Sequence, residues 1–131
     1  MFVTDTHPLV WFSTNKLSKL SDRVIEIFRK ADSGTLVVYI PTCVLLEAAM
    51  LERDGKVNFN SGFERWAHSL LEKSGFIVAE MNIPIVAHSV GFNFNKDPFD
   101  KVIAATSVEL DLPLITKDVA ITESNLVEVY W

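Results

Sequence analysis

Cysteine is almost missing from this chain: 131 residues carry one, Cys43, so no intramolecular disulfide can form. Its neighbours Val44, Leu45 and Leu46 mark it as a buried, inert thiol, and a reducing, cytoplasmic setting is expected. Basic residues are scarce as well. Twelve Lys plus Arg face 17 Asp plus Glu, a formal net charge of −5, which excludes a protein that holds nucleic acid by bulk positive charge. A polyanionic partner must instead meet local cations or bound metal. Long apolar runs are lacking too, since the longest charge-free stretch, Met81 to Asn95, is broken by Pro84, His88, Gly91 and three Asn. It is too short and too polar to span a bilayer. The opening residues Met1 to Asp5 have neither the basic nor the apolar region of a signal peptide, so no membrane association is expected. No repeat, low-complexity tract or linker interrupts the sequence, and residues 1–131 read as a single domain.

What is present is apolar substance. Hydrophobic residues make up 49% of the chain and mean hydropathy is +0.24, enough for a substantial core and against a disordered state. Short β-branched or apolar runs predict strands at Phe2–Thr4, Leu36–Ile40, Phe76–Ala79, Leu112–Thr116 and Leu126–Tyr130. Helical spacing lies between them. Ser21 and Asp22 open a segment with Val24, Ile25, Phe28 and Ala31 on one face; Phe63, Trp66, Ala67, Leu70 and Leu71 form a second stripe that stops at Gly75. Thr42 is the expected cap of a helix from Cys43 to about Asp54, apolar nearly all round and so buried on more than one side. Asn82 is the expected cap of another with Pro84 in its first turn, and Asp97-Pro98 leads into Phe99, Val102, Ile103, Thr106 and Leu110. Strands alternating with helices indicate an α/β domain with a mainly parallel sheet covered on both faces. Ligands of such sheets gather at the carboxyl ends of the strands, which directs attention to acids placed there.

Asp5 directly follows the first strand and Asp118 follows Leu114-Ile115-Thr116, so both belong at one sheet edge. Asp97 and Asp100 open the helix before that last strand, where a helix N-terminus favours negative charge. Capping alone explains Asp97 as well as a ligand role does. Glu47 is the anomaly, because a carboxylate inside an apolar helix costs several kcal/mol if buried unpaired, on the order of the penalty for an isolated charge. Arg53 as partner, or an exposed stripe shared with Glu52 and Asp54, are the plain alternatives. A metal cluster of Glu47 with Asp5, Asp100 and Asp118 accounts for all four at once. Four carboxylates without a matching His and Cys set suit hard cations such as Mg²⁺ and Mn²⁺. Zinc is disfavoured, with His7, His68 and His88 in unrelated segments.

Three stretches, VTDTHPLVW, PTCVLLEAAMLERDGKV and KDPFDKVIAATSVELDLPLITKD, occur in an order that resembles the PIN-domain family, within it the VapC-type toxin ribonucleases. Together they run from Asp5 to Asp118. The resemblance implies a PIN-like three-layer α/β/α sandwich with a mainly parallel central sheet. It implies an endoribonuclease that uses one or two Mg²⁺ or Mn²⁺ ions and leaves a 3′-hydroxyl and a 5′-phosphate. The acidic quartet maps onto Asp5, Glu47, Asp100 and Asp118 as catalytic metal ligands, with Asp97 as an additional acid holding a water or a weaker ion. Thr116 is then expected to support an acidic ligand or a phosphate oxygen from behind. Lys96, Lys101 and Lys117 flank the acids, and with Arg53 and Lys56 are candidate contacts for RNA phosphates; a solvated surface position is the plain alternative for each.

The resemblance also implies a homodimer and a small antitoxin whose tail covers the site. Trp11, Phe12 and Phe28 in the first two helices are either core or the lining of such a groove. Two other readings stay open. A Mg²⁺-dependent α/β phosphohydrolase or phosphoacceptor domain would use Asp5, yet His7 stands where its second acid is needed and Glu80-Met81 follows the strand Phe76–Ala79. A non-catalytic PIN-like binding module would keep the scaffold without the chemistry.

Overall fold

The central strand β1, Phe2–Thr4, is only three residues long, and the sheet is built outward from it. It pairs in parallel on one side with β2, Val38–Pro41, through Phe2 opposite Val38 and Val3 opposite Tyr39. On the other side it pairs in parallel with β4, Leu114–Ile115, through Val3 opposite Leu114 and Thr4 opposite Ile115. β3, Phe76–Ala79, extends the sheet beyond β2, and β5, Val129–Tyr130, extends it beyond β4. The order is β3-β2-β1-β4-β5, all parallel, in a computed structural model that describes every residue from Met1 to Trp131. Val3 and Thr4 are both fully buried, as are Leu114 and Ile115. Neighbouring residues of a strand face opposite ways, so both faces of the sheet are covered and the architecture has three layers.

Seven helices supply the covering: α1 Thr6–Ser13, α2 Asp22–Asp32, α3 Thr42–Arg53, α4 Phe63–Leu71, α5 Ile83–Gly91, α6 Pro98–Leu110 and α7 Val119–Ser124. Their starts follow the local chemistry of the sequence. The Ser21 hydroxyl accepts from Val24 N at 3.3 Å, and Asn82 Oδ1 accepts from Ile85 N at 2.9 Å. α6 is buried through Ile103 to Ser107 and packs against β1, β2, α3 and α5. Phe28 is wholly buried, with Phe12 stacked on it at 5.0 Å and Phe76 at 6.4 Å, so this aromatic set is core. No helix is long and apolar enough to cross a membrane.

Two expectations change. Thr42 does not cap α3: it is already helical behind the capping residue Pro41, and its hydroxyl donates to Ala79 O at 3.2 Å, tying the helix start to the end of β3. α3 is buried on more than one side, as expected, packed against α1, α4, α6 and β2 with Cys43, Val44 and Ala48 facing the core, and Leu46 stays 56% exposed. The later strands are shorter than their apolar runs. Before β4, Leu112 is held in a turn by its N–H to Ser107 O and by the Ser107 hydroxyl to its own carbonyl, which leaves two residues for pairing.

Gly75 sits where a Cβ would meet the Ala31 carbonyl oxygen at 2.0 Å, so the end of α2 is seated on the entry to β3. Gly75→Ala is expected to cost about 1–3 kcal/mol of stability by overpacking, read as a lower urea midpoint. Gly91→Ala, with no atom within 4 Å of the added Cβ, is the expected neutral control.

Candidate functional site

Parallel sheets direct chemistry to the crevice where strand order reverses, and here that point lies between β1 and β4. Asp5 leaves the end of β1 as the cap of α1, only 8% exposed. Its Oδ1 accepts from Thr6 N at 2.6 Å and its Oδ2 accepts from the buried Thr116 hydroxyl at 2.7 Å. That hydroxyl in turn accepts from Asp118 N at 3.0 Å. Thr116 therefore couples the two strand ends: it fixes the carboxylate of one and the backbone of the other. Asp118 caps α7, its Oδ1 accepting from Ile121 N at 2.8 Å.

The remaining acids approach from the helices. Asp100, in the first turn of α6, accepts from Asn95 Nδ2 at 2.7 Å, and Asn95 Oδ1 also takes the Asp97 N–H at 3.0 Å. Asp97 caps α6 through Phe99 N at 2.9 Å and is exposed. Glu47 is half-buried on α3 and forms no ion pair. Its expected partner Arg53 binds Asp54 instead, Nε to Oδ1 at 2.9 Å, and Glu52 accepts from Phe63 N at 2.9 Å. Arg53 is therefore not the partner of Glu47, and no cation pairs with Asp5, Asp97, Asp100 or Asp118 either.

The electrostatics follow from that lack. Burial raises the pKa of Asp5 above the usual carboxylate range; the bonds from Thr116 and Thr6 and the nearness of His7 pull it down, and the charge of Asp118 adds to the rise. Burial likewise raises Glu47, softened by the Thr6 hydroxyl and reinforced by the charges of Asp5 and Asp97. Asp100 is pushed up to about 7 by burial, against the Asn95 hydrogen bond, with Asp97, Asp5 and Asp118 adding to it. Cys43 is lifted to about 12 by burial and by Glu47 and Asp5, which makes it the inert thiol its neighbours suggested. The acids thus sense one another across the β1/β4 edge. No three of them stand close enough to form a ready-made cage. Thr6 Oγ1 is buried and turned toward the Glu47 carboxylate, without meeting full hydrogen-bond geometry there. Desolvated carboxylates without a paired side-chain cation, joined by a threonine hydroxyl, form the all-oxygen donor set a hard divalent ion suits.

An open cleft of about 510 Å³ lies against Asp5 and Asp118, lined also by His7, Pro8, Trp11 and Lys117. Of the five basic residues expected near the acids, the cleft takes Lys117 alone. Lys96 and Lys101 line a separate hollow with Ser89 and Val90, while Arg53 and Lys56 lie exposed around Asp54. Sequence reasoning passed over Thr6 and Asn95, whereas Trp11, expected as core or groove lining, does line the cleft. Asn95 had a signal, as a polar side chain two residues ahead of the Asp97 cap; the Thr6 hydroxyl had none.

Stability should register the Asp100 shift. Between the ordinary carboxylate pKa and about 7 the folded chain holds a proton that the unfolded chain has released, so this group's contribution to stability falls as pH rises through that window. The melting temperature of metal-free protein should drop between pH 5 and pH 8 more steeply for the wild type than for Asp100→Asn. Equal slopes would show that Asp100 titrates normally.

No family model matches the sequence, and no curated protein matches it. Solved structures do. The chain superposes on VapBC2 from Rickettsia felis bound to a DNA fragment from their promoter, with TM-score 0.69 and 12% identity, covering 98% of this chain and 96% of that one. It superposes on DNA-bound VapBC from Salmonella typhimurium with TM-score 0.67 and 16% identity, covering 98% and 96%. The match to FitAcB from Neisseria gonorrhoeae has TM-score 0.65 and 18% identity, covering 100% and 97%. Likeness at this identity speaks to the fold: from end to end the chain has the PIN-like α/β fold that its ordered motifs led us to expect.

Proposed function

We propose that this protein is a divalent-metal-dependent endoribonuclease, the cytoplasmic toxin of a toxin–antitoxin pair. The observation that carries the reading is the set of buried or half-buried carboxylates, Asp5, Glu47 and Asp100, raised in pKa by burial and left without a cation at the sheet's switch point. Such charges are costly to keep unpaired, so the cost is best explained by a positive partner that is not part of the chain. The likeness to VapBC and FitAcB assemblies supports a chain of PIN-like fold that works with a small antitoxin partner. A homodimer belongs to the same reading.

Asp5, Glu47, Asp100 and Asp118 would hold one or two Mg²⁺ or Mn²⁺ ions, with Asp97 at the margin. An ion there supplies an acidified water for in-line attack on phosphorus and offsets charge on the leaving oxygen. The chain's own part is positional. Thr116 and Thr6 N–H hold both Asp5 oxygens in fixed directions, and Thr116 fixes the start of α7 so that Asp118 faces the same edge. Asn95 holds Asp100 and leaves one of its oxygens free. Lys117, on the cleft wall, brings an ammonium to an RNA phosphate.

A mixed single-stranded RNA pool incubated with purified protein and Mn²⁺ should be cut, and EDTA should stop the cutting. Asp100→Asn should lower the rate by roughly a hundredfold or more while the fold is kept, as circular dichroism would report. RNA left intact with Mn²⁺, or full cleavage by Asp100→Asn, would overturn the reading.

A further inference from the structure

The cleft has a wall that metal chemistry leaves unexplained. Trp11 of α1 is half-buried, packs against the core and lines the cleft together with Asp5, Asp118 and Lys117, its ring 5.6 Å from that of His7. Two ammonium groups lie over its indole, Lys19 at 5.3 Å and Lys117 at 5.0 Å from the ring centre, and Lys117 is also 5.6 Å from the ring of Trp131. Neither lysine is paired with a carboxylate, although Asp118 is the residue next to Lys117. Core packing accounts for the buried part of the ring but not for two unpaired ammonium groups on it. Trp66, by contrast, is 9% exposed and stacked on Phe59 at 4.2 Å.

The chemistry suits a nucleotide. A chain of net charge −5 must meet an RNA strand with cations placed locally, and the acidic cleft has them on an aromatic face. An ammonium resting on a partly exposed indole is held weakly compared with one hydrogen-bonded to phosphate, so it is free to exchange. The indole it uncovers presents a π-face to a base, and stacking of that kind tolerates any base that has left its duplex.

We propose that Trp11 is the stacking platform for an unpaired nucleobase beside the scissile phosphate, with Lys117 and Lys19 passing from the indole to the phosphates of the bound strand. The inference rests on the ribonuclease reading and narrows its substrate to RNA with a splayed, single-stranded nucleotide at the cut. Trp11 acts as a binding and positioning residue, and the acids remain the reacting centre.

The test uses a short unstructured RNA in which a single abasic nucleotide is moved across the cleaved bond, cut by the full chain with Mn²⁺. For the wild type, removing the base at one position beside the cut should lower kcat/KM by about tenfold or more. Trp11→Leu should lose a similar factor on intact RNA and lose nothing further on the abasic strand. Trp11→Phe should restore most of the preference, and Lys117→Gln should weaken the dependence of KM on salt. Equal cleavage of intact and abasic RNA by the wild type would overturn the platform and leave the ribonuclease reading standing. An unchanged abasic effect in Trp11→Leu would overturn it also. If the wild type cuts no RNA at all, both readings fall together.

Discussion

A buried carboxylate needs either a cation or donors enough to replace water, and Asp5, at the end of the central strand, has donors only. The Thr6 N–H takes one oxygen and the Thr116 hydroxyl the other, across the seam between β1 and β4. Two hydrogen bonds lower the cost of burial without cancelling it, and the pKa stays raised. Every other feature of the site is arranged around that residual charge. Asp118 is aligned by the same threonine, Asp100 by Asn95, and Glu47 arrives from α3 with no partner on its own helix.

The fold holds these groups in place against their mutual repulsion. β1 lies between strands on both sides, and its Val3 and Thr4 are fully buried, so Asp5 cannot retreat from the edge without breaking the centre of the sheet. α6 is similarly fixed by five successive buried residues, Ile103 to Ser107, which anchor the turn carrying Asp100. Hydrophobic burial in the sheet and α6 thus offsets a local electrostatic cost. On the proposed reading, a bound cation would relieve that cost.

Much of this was legible in the sequence where a single residue carried a local signal. The strand Phe2–Thr4, the caps Ser21, Asn82 and Asp97, and the α/β alternation all follow from nearest-neighbour chemistry. Glu47 stood out because its neighbours are apolar, and the structure leaves it half-buried and unpaired. What escaped depends on contacts between distant segments. Thr42 reads as a cap until the carbonyl of Ala79, 37 residues away, claims its hydroxyl. Lys96, Lys101 and Lys117 look equivalent beside their acids, yet only Lys117 reaches the cleft, because two indoles from opposite ends of the chain draw it there. The sheet edge could be named from the strand order, and Trp11 as core or groove lining, but not the meeting of Trp11, Lys117 and Trp131.

The acidity of the chain takes on a different meaning in this light. If the proposed site holds two divalent ions, part of the formal −5 is their ligand set, and their four charges would bring the total to −1. Calorimetric titration of Mn²⁺ into metal-free protein, in two buffers of different ionisation heat near pH 6.5, tests this most directly. The account expects saturable binding with net proton release, since Asp100 must surrender a proton it holds up to about pH 7, and that release should fade by pH 9. Absence of saturable binding, or binding with no proton released at either pH, would contradict it.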